Sequence, residues 1–386
     1  MQSTDLIYLL TVTVLAALVA FTSTPAVSVL AYKIGAIDVP KDNRRMHKKP
    51  TPRIGGLAIF AGFVIASLVF CKLTPELISI YLGGLIIVAV GVIDDVFRIN
   101  AWVKLAAQIV VALVAVSQGI VLEYVNLFGN YVHFGMLSIP ITVVWIVGLT
   151  NAINLIDGLD GLACGVSAIC SISLLLVMLL KGEVASAMIT AAVVGACLGF
   201  LPFNTNPAKI FMGDTGALFL GYTMAVISVS GVFKLHTVIS FIIPISIFAM
   251  PLFDTTFAFI RRIAKGKSPF SPDRSHLHHR LIDLGFSQKQ SVAILYAICA
   301  ILGTSAIMFT EENFGRALII IAVGIAIFLT NFYFLRHAKS RSHMAIELGD
   351  PVDSDNYKKR EDKLAAEELL QSAALKETDS DEKNEK

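Results

Sequence analysis

The chain has 386 residues, of which 55% are hydrophobic and 16% are charged, and its formal net charge is +2 at pH 7. A mean hydropathy of +0.73 excludes an ordinary soluble protein of this size and indicates a polytopic membrane protein. The net charge says little by itself, and no nucleic-acid partner is expected.

Apolar windows of about 20 residues, the length that crosses a bilayer, recur along the chain. They predict an all-α membrane protein with about eleven transmembrane helices, at roughly 6–31, 54–71, 77–95, 104–121, 137–156, 161–180, 184–202, 216–232, 237–260, 290–309 and 316–335. Of the 31 Lys and Arg residues, all but Lys72, Lys181, Lys234 and Arg316 then fall on one side. The positive-inside rule therefore places the N-terminus outside and the C-terminus in the cytoplasm.

The composition changes after Arg336, where the chain becomes polar and carries both signs of charge. This change predicts a membrane catalytic domain over residues 1–336 and a mostly disordered cytoplasmic tail over 337–386. The five cysteines show no CxxC spacing. We interpret them as small apolar packing residues, so neither a disulfide nor a zinc site is expected.

The first predicted inner loop, 32–53, is basic and rich in proline, and it includes His47 and Arg53. Two interpretations remain open for this loop. It interacts with anionic lipid headgroups as a general feature of inner loops, or it forms a binding surface for a phosphorylated lipid.

The third span ends in GVIDDVFR, so Asp94 and Asp95 lie where apolar sequence meets the inner interface. Adjacent carboxylates repel each other, and one of them has a raised pKa unless a cation or metal offsets the repulsion. A solvated helix end is the alternative, although acidic residues at a helix C-terminus oppose the helix dipole. The pattern favours a base or a metal site. Lys104, a cation, follows a few residues later in the sequence.

The fifth span ends in NAINLIDGLDG, in which four polar side chains recur every three residues: Asn151, Asn154, Asp157 and Asp160. In one continuous helix the first and last of these drift to opposite faces. Gly158 and Gly161 permit a break in the helix, so all four side chains are expected to converge on one ligand.

The segment FNTNPAKIFMGDTG separates the seventh and eighth spans. Asp214 starts an apolar helix and is a plausible N-cap, but capping does not explain Asn204 or Phe211. An oxygen-rich site with few carboxylates suits Mg²⁺, which keeps water and substrate phosphates among its ligands.

The large inner loop contains SPDRSHLHHRL, in which His276 and His279 share a helical face near Arg274. Zinc is the rival interpretation, but the lack of cysteine ligands and the abundance of Arg favour phosphate contacts. Upstream, Asp254 lies inside the ninth span, and we predict a structural ion pair for it.

Four motifs together resemble a known family, the polyprenyl-phosphate N-acetylhexosamine-1-phosphate transferases. In chain order they are GVIDDVFR, NAINLIDGLDGLA, PAKIFMGDTGALFLG and DRSHLHHRL. The resemblance spans about residues 30–335, and the HLHH form is similar to the bacterial branch that uses UDP-N-acetylglucosamine (UDP-GlcNAc).

The resemblance implies a multi-pass enzyme of the bacterial inner membrane with its active site on the cytoplasmic face. It would transfer GlcNAc-1-phosphate from UDP-GlcNAc to undecaprenyl phosphate, giving undecaprenyl-diphospho-GlcNAc and UMP. This is the first membrane step of a cell-wall glycopolymer such as teichoic acid or O-antigen. The resemblance also implies Mg²⁺, with Mn²⁺ as a substitute, and a homodimer is a further expectation.

The resemblance assigns roles by motif position. The catalytic group comprises Asp94 (base, or nucleophile in a two-step scheme), Asp95, Asp157, His278 and His279. The substrate-binding group comprises His47, Arg53, Lys104, Asn154, Asp160, Asn204, Phe211, Arg274 and His276. Mg²⁺ would be held by Asp214 and Asp157. Arg98 stands where the family often has Lys, which keeps the charge but changes the geometry, and we leave it out of the site.

Three alternatives remain. One is the peptidoglycan branch of the same family, which transfers phospho-N-acetylmuramoyl-pentapeptide. Another is an aspartate-rich intramembrane prenyltransferase, which would show two NDxxD-like motifs. The third is a transporter, for which acidic residues near the middle of several spans would be expected.

Overall fold

A computed structural model describes residues 3–39, 50–127, 130–233, 241–266 and 276–326 of the protein. The predicted site residues His47 and Arg274 lie outside these residues, as does the predicted tail. The chain divides into two compact units, Met1–Ile321 and Ala322–Lys386. The site described below belongs to the first unit, and the predicted boundary at residue 336 stays a prediction.

The described residues fold almost entirely into helices. Their bounds are α1 (Ser3–Ile34), α2 (Gly56–Phe70), α3 (Pro75–Phe97), α4 (Ala101–Ser117), α5 (Ser138–Ile156), α6 (Leu162–Lys181), α7 (Val184–Asn204), α8 (Gly213–Ile227), α9 (Ile242–Ile247), α10 (Ala249–Ala264), α11 (Leu277–Asp283), α12 (Gln288–Thr310) and α13 (Phe314–Ala326). A 3₁₀ turn, Gly135–Leu137, precedes α5, and a π-helical segment, Ser228–Val232, continues α8.

Seven of the described helices are long and apolar enough to cross a membrane: α1, α3, α5, α6, α7, α8 with its π-helical extension, and α12. The helices α2, α4 and α13 are apolar but shorter. The predicted all-α polytopic membrane fold is therefore confirmed, and the count of eleven spans stays a prediction.

Two small antiparallel ladders accompany the helices, and the sequence reading did not anticipate them. In one, β1 (Ile37–Asp38) pairs with β2 (Thr51–Pro52). In the other, β3 (Tyr124–Leu127) pairs with β4 (Asn130–His133). The first ladder matters for the site, because it holds the chain just before Arg53 against the chain that leaves α1.

Local signals in the sequence start several of these helices. Thr74 caps α3, since its side-chain oxygen accepts a hydrogen bond from Leu77 N at 3.2 Å, and Pro75 occupies the first helical position, where its missing N–H costs nothing. Ser287 and Gln290 form a reciprocal capping box at the start of α12. The capping box fixes the start of α12, whereas Thr74 caps the end of α3 that lies opposite to Asp94 and Asp95.

The helix α8 is almost wholly buried, and small residues allow its neighbours to approach its backbone closely. A Cβ atom added to Gly56 of α2 would collide with the backbone of Gly216 in α8. A Cβ atom added to Gly91 of α3 would collide with the backbone of Thr215. Small residues at such crossings are typical of helix packing in membranes, and here they fix the first turn of α8 between α2 and α3.

The ninth predicted span, 237–260, is interrupted over its described part. The helix α9 ends at Ile247 and α10 begins at Ala249. Pro251 explains the break, because it has no N–H to donate to the carbonyl of Ile247 four residues earlier. The Cys170 thiol donates to that carbonyl instead, with Sγ 3.2 Å from the oxygen.

Candidate active site

Two carboxylates and one ammonium group from three helices meet at the centre of the site. The Nζ atom of Lys104, in the first turn of α4, lies 3.1 Å from Oδ2 of Asp94 near the end of α3. The same Nζ lies 2.8 Å from Oδ2 of Asp214 in the first turn of α8. Lys104 therefore joins two of the predicted acidic motifs, which are far apart in the sequence.

Asp95 does not contact Lys104 in this cluster but holds the start of α8 in place through hydrogen bonds. Its Oδ1 accepts hydrogen bonds from Arg53 Nε at 3.0 Å and Asp214 N at 3.1 Å. Its Oδ2 accepts from Thr215 N at 3.1 Å and Thr215 Oγ1 at 2.7 Å. Both oxygens are thus already engaged, and in this arrangement Asp95 positions Asp214.

Gly213 is required at the residue before Asp214. Its φ is +70°, a left-handed conformation that glycine adopts without strain. A Cβ atom there would also collide with the backbone oxygen of Arg53 and approach Oδ2 of Asp95. The glycine of the GDTG motif therefore permits the contact between Asp95 and the start of α8.

The predicted break in the NAINLIDGLDG segment is present. The helix α5 ends at Ile156 and α6 begins at Leu162, with Gly161 at φ +78° between them. The hydroxyl of Tyr296 in α12 donates a hydrogen bond to the Gly161 carbonyl. The turn that carries Asp157 and Asp160 is therefore braced from α12.

A cavity of about 380 Å³, here called the polar cavity, is lined by most of the predicted polar residues. Its lining residues are Asp38, Arg53, Asn154, Asp157, Gly158, Leu159, Asp160, Asn204, Phe211, Gly213, Asp214, His279 and Gln288. The carboxylates of Asp157 and Asp214, predicted from separate motifs, thus face one space.

A second cavity of about 640 Å³, here called the apolar cavity, has mainly apolar walls. Its lining residues are Ala101, Lys104, Leu105, Gln108, Gly148, Asn151, Asn154, Leu155, Gly158, Leu218, Thr255, Phe259, Arg262, His276, His278 and His279. Asn154, Gly158 and His279 line both cavities, so the two spaces meet beside the acidic cluster.

Asn151 does not join the other three polar residues of its motif in the polar cavity. Its Nδ2 donates to Gln108 Oε1, and Gln108 Nε2 donates back to Asn151 Oδ1 at 3.2 Å. This pair links α4 to α5 in the wall of the apolar cavity. The expected convergence therefore holds for Asn154, Asp157 and Asp160, while Asn151 pairs with a neighbouring helix.

Asp160 and Asn204 organise one wall of the polar cavity. Oδ2 of Asp160 accepts hydrogen bonds from Ala208 N at 3.1 Å and from Asn206 Nδ2 at 2.9 Å. Asn204 Nδ2 donates to the carbonyl of Ile210 at 3.0 Å. Its buried Oδ1 has no hydrogen-bond partner among the described residues, which leaves an acceptor for a ligand.

The histidine segment docks on α10 through Asp254. Oδ2 of Asp254 lies 3.0 Å from Nδ1 of His276, and its Oδ1 accepts a hydrogen bond from Leu277 N at 2.8 Å. Asp254 thus has a structural partner in His276 through a hydrogen bond, and the predicted ion pair stays a prediction. This pairing occupies one ring nitrogen of a residue assigned to substrate binding.

The other two histidines differ in their surroundings. His278 is buried and packs against Gly158, and a Cβ atom on that glycine would collide with His278 Nε2. Burial, helped by the nearby His279, lowers the pKa of His278 to about 4, so its imidazole is uncharged at neutral pH. His279 is partly exposed and lines both cavities.

The carboxyl group of Asp157, just after the end of α5, has a strongly perturbed pKa. Burial, together with the nearby carboxylates of Asp214 and Asp95, raises the pKa of Asp157 to about 8. Among the described residues, no three His, Cys, Asp or Glu side chains are grouped closely enough to hold a metal ion by themselves. The carboxylate and amide oxygens around Asp157 nevertheless fit Mg²⁺, which commonly binds through one or two carboxylates plus substrate phosphates.

Two residues of the polar cavity escaped the sequence reading. Gln288 begins α12 and lies outside every motif, so no signal pointed to it. Asp38 belongs to the basic loop 32–53 and to none of the motifs, yet it lines the cavity, and its Oδ1 lies 3.8 Å from the guanidinium of Arg98. Arg98 itself lines neither cavity, and its omission from the site stays a prediction.

Known proteins are similar in sequence to this chain over most of its length. A family model described as glycosyl transferase family 4 matches residues 77–232. The "Probable undecaprenyl-phosphate N-acetylglucosaminyl 1-phosphate transferase" of Bacillus subtilis is 44% identical over 305 residues, which is 78% of this chain and 84% of the relative.

Two further relatives come from other bacteria. The "Decaprenyl-phosphate N-acetylglucosaminephosphotransferase" of Mycolicibacterium smegmatis is 34% identical and covers 83% of this chain and 87% of its own length. The "Undecaprenyl-phosphate alpha-N-acetylglucosaminyl 1-phosphate transferase" of Escherichia coli K12 is 28% identical, and the match covers 80% of this chain and 86% of the relative. The identity, the coverage and the matched family model show that the chain belongs to glycosyl transferase family 4.

Proposed function

We propose that the protein transfers GlcNAc-1-phosphate from UDP-GlcNAc to undecaprenyl phosphate, releasing UMP and leaving undecaprenyl-diphospho-GlcNAc in the membrane. The names of its relatives support this reaction, since they specify a polyprenyl phosphate and N-acetylglucosamine phosphate. The product would begin a cell-wall glycopolymer of the teichoic acid or O-antigen type.

One observation carries the proposal: a polar and an apolar cavity share a wall beside an acidic cluster. A nucleotide sugar needs directional polar contacts, and an isoprenoid chain needs a long apolar surface. The shared residues Asn154, Gly158 and His279 lie where the two reacting phosphates would meet.

In the proposed reaction, an oxygen of the lipid phosphate attacks the β-phosphorus of UDP-GlcNAc, and the bond from that phosphorus to the bridging oxygen breaks, so that UMP departs. Lys104 faces the apolar cavity and would orient the lipid phosphate as a cation. Asp94, bound to Lys104 Nζ, would take the proton from a lipid phosphate that enters as the monoanion. A covalent two-step route, with Asp94 as nucleophile, is the alternative.

Mg²⁺ is part of this proposal. Asp157 and Asp214 would hold it, and the unpartnered Oδ1 of Asn204 is a further oxygen in the same cavity. Held by these residues, Mg²⁺ would supply positive charge that offsets the negative charge of the diphosphate. Asp214→Ala is expected to lose both activity and saturation by Mg²⁺, and a Mg²⁺ titration that matches wild type would exclude Asp214 as a ligand.

The finer topology also belongs to the proposal. We infer about eleven spans with the N-terminus outside, which puts the cavities on the cytoplasmic side of the inner membrane, where nucleotide sugars are available. The distribution of Lys and Arg supports this orientation. Cysteine labelling of engineered loop positions in intact cells tests it, and a homodimer stays a prediction.

The decisive experiment supplies purified protein with undecaprenyl phosphate, Mg²⁺ and one donor at a time. UDP-GlcNAc is expected to give equal amounts of UMP and lipid-linked GlcNAc. Decaprenyl phosphate as a second acceptor tests whether the rate of transfer depends on the length of the isoprenoid chain. UDP-N-acetylgalactosamine as a donor tests which amino sugar is accepted.

Two outcomes would replace the proposal. Turnover of UDP-N-acetylmuramoyl-pentapeptide in place of UDP-GlcNAc would indicate the peptidoglycan branch. No UMP from any donor, combined with solute movement in liposomes, would indicate a transporter.

A further inference from the structure

Beside the polar cavity, side-chain hydrogen bonds through Asn206 link the break after α5 to the start of α12. Asn206 Nδ2 donates to Asp160 Oδ2 at 2.9 Å and to Gln288 Oε1 at 2.7 Å. Asp160 and Gln288 line the cavity, and neither Asn206 nor Gln288 belongs to a role assigned above.

The carboxylate of Asp160, at one end of this series of hydrogen bonds, determines which groups donate and which accept. Ionised Asp160 only accepts hydrogen bonds, so Asn206 must present its NH₂ group, and its carbonyl oxygen would be repelled. The same NH₂ group reaches Gln288, which must therefore turn its carbonyl oxygen towards Asn206. The amide nitrogen of Gln288, with two N–H donors, is then left to face a ligand.

The two ends are also held in fixed relation. The Tyr296 hydroxyl, two turns into α12, donates to the Gly161 carbonyl next to Asp160. The capping box of Ser287 and Gln290 holds the first turn of α12, where Gln288 lies. Gln288 therefore presents its donor at a defined distance from the acceptor of Asp160.

We infer that Gln288, oriented by Asn206, is a specificity-determining residue that reads the uracil base of the donor nucleotide. This inference rests on the proposed function. Uracil presents an N–H donor flanked by two carbonyl acceptors, so the acceptor of Asp160 and the donor of Gln288 complement adjacent positions on that edge. We place the donor of Gln288 against the carbonyl at C4. Cytosine has an acceptor in place of the N–H, which would oppose Asp160, and an amino donor in place of the C4 carbonyl, which would oppose Gln288.

The test measures the dissociation constants of UMP and CMP for the full-length protein in detergent by calorimetry. Wild type is expected to prefer UMP. Gln288→Leu, which keeps the size but removes the amide, is expected to weaken UMP about tenfold while changing CMP little, in line with the loss of one or two hydrogen bonds. Gln288→Glu keeps an oxygen for Asn206 and turns a second acceptor towards the base. We therefore expect the ratio of UMP affinity to CMP affinity to fall below that of Gln288→Leu.

Turnover provides a second readout. Gln288→Leu is expected to raise KM for UDP-GlcNAc with little change in kcat, because the base lies away from the reacting phosphorus and its binding is uniform along the reaction. Lys289→Met, at the exposed next residue of the same helical turn, is the matched control and is expected to match wild type in both assays.

An unchanged ratio of UMP to CMP affinity in both Gln288 variants would overturn this inference while leaving the proposed function intact, provided that wild type still releases UMP from UDP-GlcNAc. If wild type neither binds UMP nor releases it, the proposed function fails and this inference fails with it.

Discussion

The polar cavity and the apolar cavity share three residues but are built in different ways. Directional bonds between distant segments hold the polar cavity, as where Asp95 joins Arg53 to the first turn of α8. Helices α4, α5 and α10 line the apolar cavity, and most of its wall surface is apolar although polar side chains such as the paired Gln108 and Asn151 also face it. Under the proposed function, this difference would let the polar cavity recognise a ligand by its hydrogen-bond pattern and the apolar cavity recognise one by its size and apolar surface.

The largest expected effect comes from the acidic cluster, where Asp94 contacts Lys104. Asp94→Asn is nearly isosteric and is expected to lower kcat by about 10³-fold or more, because it removes the base while keeping the shape. The release of UMP measures the loss, and gel filtration with thermal unfolding in detergent checks the fold. Activity close to wild type in a folded variant would refute the role of Asp94.

A somewhat smaller loss, of about 10²-fold, is expected for Lys104→Met. The variant removes the cation that lies between Asp94 and Asp214 and leaves two carboxylates repelling each other. The loss should include a higher KM for undecaprenyl phosphate, because Lys104 lines the apolar cavity. If only the KM for UDP-GlcNAc rises, then Lys104 serves the other substrate. Lys104→Arg keeps the charge and should retain more activity than Lys104→Met.

Filling the apolar cavity tests whether it binds the lipid substrate while the polar cavity binds the nucleotide sugar. A Cβ atom on Gly148 meets nothing within 4 Å, so Gly148→Leu should occupy cavity space without distorting α5. We expect about a tenfold higher KM for undecaprenyl phosphate and an unchanged KM for UDP-GlcNAc. Gly315→Leu, at another position with open space, is the control, and equal effects on both substrates would contradict the assignment.

The smallest expected effect is a change of stability with pH at His278. Its pKa of about 4 in the folded protein is below the unfolded value of about 6.5, so the unfolded chain binds the proton more readily. Stability should therefore fall as pH drops from about 6.5 towards 4, by about 1–2 kcal/mol at pH 5. His278→Gln lacks this contribution, so its melting temperature should fall less than that of wild type between pH 7 and pH 5.

The sequence indicated the gathering of the acidic motifs because carboxylates at the ends of apolar spans have few tolerable environments. The break at Gly158 and Gly161 followed from the three-residue spacing, and it is present. The pairing of Asn151 with Gln108 could not be foreseen, since it depends on how α4 lies against α5.

Long-range partners account for most of what the sequence reading missed. Nothing near Asp95 in the chain announces that its oxygens hold the backbone of α8, 119 and 120 residues away. The interruption at Phe248 had a local sign in Pro251, but uninterrupted apolar character suggested one continuous span. Gln288 had no sign at all, because an isolated glutamine at a helix start usually faces water.

The wall shared by the two cavities limits how such an enzyme can diversify. Under the proposed function, a change at Asn154, Gly158 or His279 would disturb the binding of nucleotide and lipid together, so a new substrate preference would be hard to acquire there without loss of turnover. Residues that touch a single cavity, such as Gln288 on one side and Gly148 on the other, can vary independently. Natural variants with altered donors or altered lipid lengths should therefore carry their substitutions in these outer walls.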